Sequence, residues 1–100
     1  MFDMTPVVKP IDLVAYQQGN VVSRTVISQT GGTVTLFAFD KGEGLSEHTA
    51  PFDALVLVLE GEALITISGK EYTVKQDEML IMPAHQPHAL KANSAFKMML

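Results

Sequence analysis

The chain of 100 residues contains no cysteine and no tryptophan, and its only arginine is Arg24. Without cysteine there is no disulfide framework, no thiolate zinc site and no cysteine nucleophile, and the composition suits a reducing cytosol. Basic residues are scarce: seven Lys and Arg stand against eleven acids, for a formal net charge of −4. No basic stripe exists to follow a phosphate backbone, so neither nucleic acid nor an anionic membrane surface is an expected partner. The longest uninterrupted apolar run, "ALVLVL" at 54–59, is far shorter than the ~20 residues that span a bilayer. The opening "MFDMTPVVKP" has acid and proline where a signal peptide needs basic residues and an apolar core. These absences predict a soluble cytoplasmic protein. Also missing are a GxSxG elbow and a GxxxxGK phosphate cradle. Ser23, Ser28, Ser46, Ser68 and Ser94 have no triad context, so covalent hydrolysis is not expected.

What is present is a dense core in the making. The chain is 47% hydrophobic and 18% charged, which predicts a folded protein rather than a disordered one. Its length predicts one domain over 1–100. Turn signals recur at short intervals: "QQGN", "TGG", "KGEG", "EGE", "SGK", "KQD", "MPAHQP" and "NS". Between them lie short runs rich in Val, Ile, Leu, Thr and Phe, the pattern of an antiparallel sandwich or barrel. No stretch carries a capped helical stripe, so the fold class is all-β.

Three runs carry detail. "TVTLFAF" at 33–39 alternates, placing Val34, Leu36 and Ala38 on one face and Phe37 and Phe39 on the other. "ALITISGKEYTV" reads as a hairpin in which Gly69 supplies the positive φ of a tight turn. "ALVLVL" breaks the alternation: Ala54, Val56 and Val58 share one face, while Leu55, Leu57 and Leu59 share the opposite one. A strand apolar on both faces must be covered on both. A chain this short has little left to cover the second face, so a homodimer is expected. The expected core includes Val34, Leu36, Val56, Val58, Ile65, Ile67, Leu80 and Met82.

Chemistry-bearing residues are few. The three histidines are His48, His85 and His88, and the acids close in sequence to the first are Glu43, Glu47 and Asp53. Gly42, five residues, His48, and then Gly61 resemble the first motif of the cupins. "DEMLIMPAHQPHALKAN" at 77–93 resembles the second, with Asp77 at its opening glycine, Pro83 at its proline and His88 at its histidine. The resemblance implies a jelly-roll antiparallel β-barrel, commonly dimeric, with a divalent metal held inside by three histidines and a glutamate. Position by position, His48 and His88 fall on ligand positions, whereas Ala50 and Ala54 fall on the other two. His85 falls on the motif's turn glycine, which implies a loop residue and a poor third ligand. Asp53 is one residue early for the glutamate and, on a strand, points the other way.

Two imidazoles hold an ion less firmly than the three or four protein ligands of an ordinary site. The expected function is therefore a small-molecule binding or sensing module. Its metal site is partial, taking zinc, nickel, iron or manganese weakly, and its ligand is unidentified. The alternative is a metal-dependent cupin enzyme of dioxygenase, isomerase or lyase type, drawing a third donor from His85, water or substrate. Met79 and Met82 are read as packing before soft ligands. Phe52 is read as a wall of the mouth at most, and the acids as a solvated rim.

Overall fold

The computed structural model describes residues 7–100. Its elements are a short 3-10 turn, Pro10–Leu13, and nine strands. These are β1 (Val21–Gln29), β2 (Gly32–Phe39), β3 (Gly44–His48), β4 (Ala54–Glu60), β5 (Glu62–Ile67), β6 (Lys70–Lys75), β7 (Met79–Met82), β8 (His88–Lys91) and β9 (Phe96–Met99). They form a five-stranded sheet in the order β1-β2-β9-β4-β7 and a four-stranded sheet in the order β3-β8-β5-β6. Every pairing is antiparallel. Two such sheets face to face make a double-sheet jelly-roll barrel.

Local chemistry sets the corners. The β5–β6 hairpin turns through Ser68 and Gly69, both at positive φ (48° and 82°), the pairing that matches the twist of the flanking strands. Gly61 joins β4 to β5 with φ at +75°, and a Cβ there would come within 2.6 Å of the Ala95 carbonyl oxygen. No larger residue fits that corner without moving the backbone.

The space between the sheets is filled by Phe39, Val56, Val58, Ala63, Ile65, Val74, Met82, Leu90, Ala92, Phe96 and Met98. Phe39 and Phe96 stack with centroids 4.5 Å apart. The two faces of β4 are thereby assigned: Ala54, Val56 and Val58 turn inward, and Leu55, Leu57 and Leu59 turn outward. Five residues of the expected core, Leu36, Val56, Val58, Ile65 and Met82, are buried. Val34, Ile67 and Leu80 are only partly buried and pack at core margins.

Leu36 and Ala38 are buried on the other side of their sheet. They belong to a second cluster with Val14 and Val26, against which Leu13, Tyr16, Leu59 and Met99 pack. The cover is the segment 10–16, which crosses the outer face of the five-stranded sheet as a strap. A 3-10 turn of four residues has no stability of its own, so the strap depends on tertiary anchors. Lys97 Nζ donates to the Ile11 carbonyl at 2.9 Å, and Arg24 donates to the Leu13 carbonyl at 3.1 Å. Tyr16 donates its hydroxyl proton to Glu60 Oε1 at 2.6 Å. Burial first, and then the hydrogen bond to Glu60 and that carboxylate's charge, push the Tyr16 hydroxyl well above the ordinary tyrosine range.

Candidate functional site

His48 ends β3 and His88 opens β8, and the two residues are direct partners across the sheet. Strict alternation would not bring them together. Leu45 is partnered with Leu90, so β3 uses three steps to reach its histidine where β8 uses two. The extra residue is a β-bulge, which turns His48 to the same face as Leu45 and leaves it opposite His88. Gly44 permits the close approach on which this pairing rests: a Cβ there would lie 2.3 Å from the Leu90 carbonyl oxygen. On its other side, His88 is partnered with Ile67 of β5. His88 is buried, with 4% of its surface accessible, whereas His48 is exposed. The pair therefore runs from the apolar interior out to solvent.

The rings are held alike. His48 Nδ1 lies 2.8 Å from the Ser46 carbonyl oxygen, and His88 Nδ1 lies 3.2 Å from the Gln86 carbonyl oxygen. A carbonyl only accepts, so each Nδ1 carries the hydrogen, and each neutral ring presents its Nε2 lone pair at the other end. Those two Nε2 atoms are 3.1 Å apart, with the rings edge to face. Two lone pairs at that distance repel unless a cation lies at them, either a proton or a metal ion. Side-by-side imidazole ligands of one ion, each bonded at about 2.0–2.1 Å, are themselves about 3 Å apart. The donor chemistry and the spacing both fit part of a divalent-metal coordination sphere.

The set stops at two. Among the described residues, no group of three or more His, Cys, Asp or Glu gathers in a metal-binding arrangement. Ala54 packs against the core cluster, so an apolar side chain stands where the motif has its glutamate. His85 stands apart: its φ is +66°, its backbone N–H donates to the Ala50 carbonyl at 2.8 Å, and its side chain is exposed. Asp77, at the other glycine position of the second motif, likewise holds a φ of +67°. Both replacements keep the left-handed backbone that the motif's glycines would provide. Asp53 accepts from the Ala84 N–H at 2.8 Å, which ties a loop rather than a metal. Met79 is turned to solvent and Met82 into the core, so neither methionine joins the histidines.

Two grooves lie elsewhere. One of about 390 Å³ runs over Gly44, Leu64, Thr66, Ala89 and Lys91 on the outer face of the four-stranded sheet. The other, about 330 Å³, lies between the start of the strap and Val26, Leu36 and Met99. Neither is lined by a histidine. Sequence reasoning found both imidazoles and missed the carbonyls of Ser46 and Gln86 that orient them. Each lies two residues before its histidine, but a backbone acceptor leaves no mark in residue type.

A double-sheet barrel with paired histidines at facing strand ends defines the class. The cupin-domain family model matches residues 35–100, and the chain belongs to that family. Its solved relatives agree. A conserved protein of unknown function from Streptococcus pyogenes is 36% identical, with a TM-score of 0.92 over 98% of this chain and 86% of that one. A cupin 2 conserved barrel domain protein from Leptotrichia buccalis is 40% identical, with a TM-score of 0.86 over 89% of this chain and 43% of that one. Salicylate 1,2-dioxygenase from Pseudoaminobacter salicylatoxidans, solved with gentisate, shares the fold alone. It is 16% identical, with a TM-score of 0.71 over 79% of this chain and 24% of that one. None of the curated proteins matches the sequence. No helix among the described residues is long and apolar enough to cross a membrane.

Proposed function

We propose that this cupin is a small-molecule binding or sensing module in which His48 and His88 together hold a divalent cation weakly. The observation that carries the reading is the pair of Nε2 atoms 3.1 Å apart, with both Nδ1 hydrogens committed to backbone carbonyls. Orientation by a carbonyl on the far nitrogen is the usual way a protein fixes a metal-binding imidazole. The bound ion would supply Lewis acidity and open coordination positions. The chain's own residues do the rest. Ser46 and Gln86 fix the tautomers, and Ile67, the strand partner of His88, leaves an apolar wall beside the ion. A ligand with one or two polar atoms on an apolar body suits such a surface.

The enzyme reading has less support. A metal-dependent dioxygenase, isomerase or lyase would need a further donor, and no carboxylate joins the two histidines among the described residues. The likeness to the dioxygenase is too distant in sequence to carry its chemistry.

The test is a calorimetric titration of untagged protein with zinc and nickel, run on the wild type, His48→Ala, His88→Ala and His85→Ala. Binding should be weak in the wild type, lost in the first two variants and kept in the third. Acid should weaken it, because a protonated imidazole cannot ligate. Equal binding in all four proteins would refute the site.

A further inference from the structure

The inner face of the four-stranded sheet ends in one row of strand partners: His48 on β3, His88 on β8, Ile67 on β5 and Lys70 on β6. The next row is Leu45, Leu90, Ile65 and Tyr72. Alternation fixes the face of β6. Tyr72 is partnered with the fully buried Ile65, and Val74, two residues on, is buried as well. Lys70 and Tyr72 therefore stand on the side of the barrel interior, while Glu71, the partner of Thr66, stands on the outer side. Lys70 is exposed and Tyr72 is 37% exposed, so both lie at the mouth. We propose that Lys70 is an anion subsite of the histidine site. The ligand it selects is a small molecule with an apolar body, a polar atom at the His48–His88 pair and a carboxylate at Lys70.

This deepens the reading of the pair as a cation site and rests on it. Charge is the first support. The chain carries a net charge of −4, yet this row holds two imidazoles, one ammonium and no carboxylate. Among the described residues no acid pairs with Lys70, whose ammonium lies 5.4 Å from the Tyr72 ring centre. A ring contact leaves the other sides of an ammonium free to meet an anion. Asp53, an acid close in sequence to His48, accepts instead from the Ala84 N–H. Spacing is the second support. Neighbouring strands lie about 4.8 Å apart, so the two steps from His88 to Lys70 separate their backbones by roughly 10 Å. Less the reach of the side chains, that leaves room for a body of about four to six carbons. Ile67 stands between the two polar ends, which makes the middle of the site apolar. The third support is that the spacing is fixed. Ser68, in the turn before Lys70, donates its N–H to the Pro87 carbonyl at 2.8 Å and its hydroxyl to Gln86 Oε1 at 3.3 Å. The carbonyl of the same Gln86 holds His88 Nδ1. One short segment thus ties both ends of the site together, and a site set in advance spends less of its binding energy on ordering.

The probe is adipate, which has two carboxylates on a four-carbon chain, with its neutral diamide as the control. Each is titrated into the full-length protein, with and without one equivalent of zinc, and followed by amide chemical shifts, which also report the fold of every variant. Adipate should shift Ile67, Lys70, Tyr72 and His88, and adipamide should not. Lys70→Met should weaken adipate binding by about five-fold or more, the scale of one part-exposed ion pair. Lys70→Arg should keep it, as should Lys75→Met at the far end of β6. Zinc affinity should be the same in Lys70→Met and wild type. Equal adipate binding in wild type and Lys70→Met, or none in wild type, would overturn the subsite. The two readings fail separately. Lys70-dependent adipate binding by a protein that takes no zinc would keep the anion subsite and remove the cation. Zinc binding through the histidines without Lys70-dependent adipate binding would keep the cation and overturn the subsite.

Discussion

The two halves of the outer face of the five-stranded sheet are made of similar residues and meet different ends. Leu36, Ala38 and Leu59 lie beneath Val14, Leu13 and Tyr16 of the strap. Leu55, Met79 and Ile81 lie beneath nothing among the described residues. The difference comes from polar anchors rather than from hydrophobicity. The strap is held where Lys97 and Arg24 can reach its carbonyls and where Glu60 can accept from Tyr16. The Lys97 ammonium also sits 5.1 Å from the Tyr16 ring centre, a contact that adds cation–π attraction. Among the described residues, the polar side chains beside β7 are already engaged: Glu78 accepts from the Lys75 N–H and Asp53 from the Ala84 N–H. A short segment without regular structure covers a sheet only where its backbone groups find partners.

The largest expected effect would break the comparison outright. Leu36→Ala empties a site under the strap and should cost ~2–5 kcal/mol, as should Ile65→Ala between the sheets. Ile81→Ala, assayed where the protein is monomeric, should change stability by less than about 0.5 kcal/mol. Denaturant midpoints on the three variants check this. An equal loss at positions 36 and 81 would mean the two halves are covered alike.

A smaller effect sharpens the role of the anchor. Tyr16→Phe keeps the ring and removes the proton that Glu60 accepts, at a cost of about 1 kcal/mol. Because the Tyr16 hydroxyl titrates above its unfolded value, its contribution is complete below the unfolded tyrosine pKa of ~10. It is lost as pH rises past that value towards the folded one, since the unfolded chain ionises first. Melting temperatures followed from neutral pH to above ~10 should fall more steeply for the wild type than for Tyr16→Phe. Parallel curves would remove the anchor from the account.

The smallest effect lies outside both halves. His85 holds a left-handed backbone that glycine adopts without penalty. His85→Gly should therefore be neutral or stabilise by up to about 1 kcal/mol, with metal binding unchanged. A loss above that size, read from thermal unfolding, would show that the imidazole itself makes a contact the fold needs.

Much of this was legible in the residues. The turn signals and β-branched runs predict the antiparallel barrel, and the two-sided run at 54–59 predicts a strand with apolar residues on both faces. The motif spacing pairs His48 with His88 in the barrel, which the strand register bears out, and assigns His85 to a turn, where its φ of +66° now sits. Side-chain alternation and the demand of glycine for special corners are local physics, and a sequence carries them whole. Other features needed the assembled sheets. Alternation could not reveal that β3 bulges before His48, because a bulge is a mismatch between two strands and belongs to neither. Nor could it show that Leu36 and Ala38 pack under the chain's own strap while Phe39 faces the opposite sheet: both faces of β2 are apolar, and only the path of residues 10–16 decides which is covered by what. The orientation of both imidazoles rests on carbonyls at Ser46 and Gln86, and a carbonyl is present at every residue. The sequence by itself determined which residues can do chemistry or fill a core. Tertiary structure decided which faces meet, because strand register and the reach of a few polar anchors are properties of chain segments brought together.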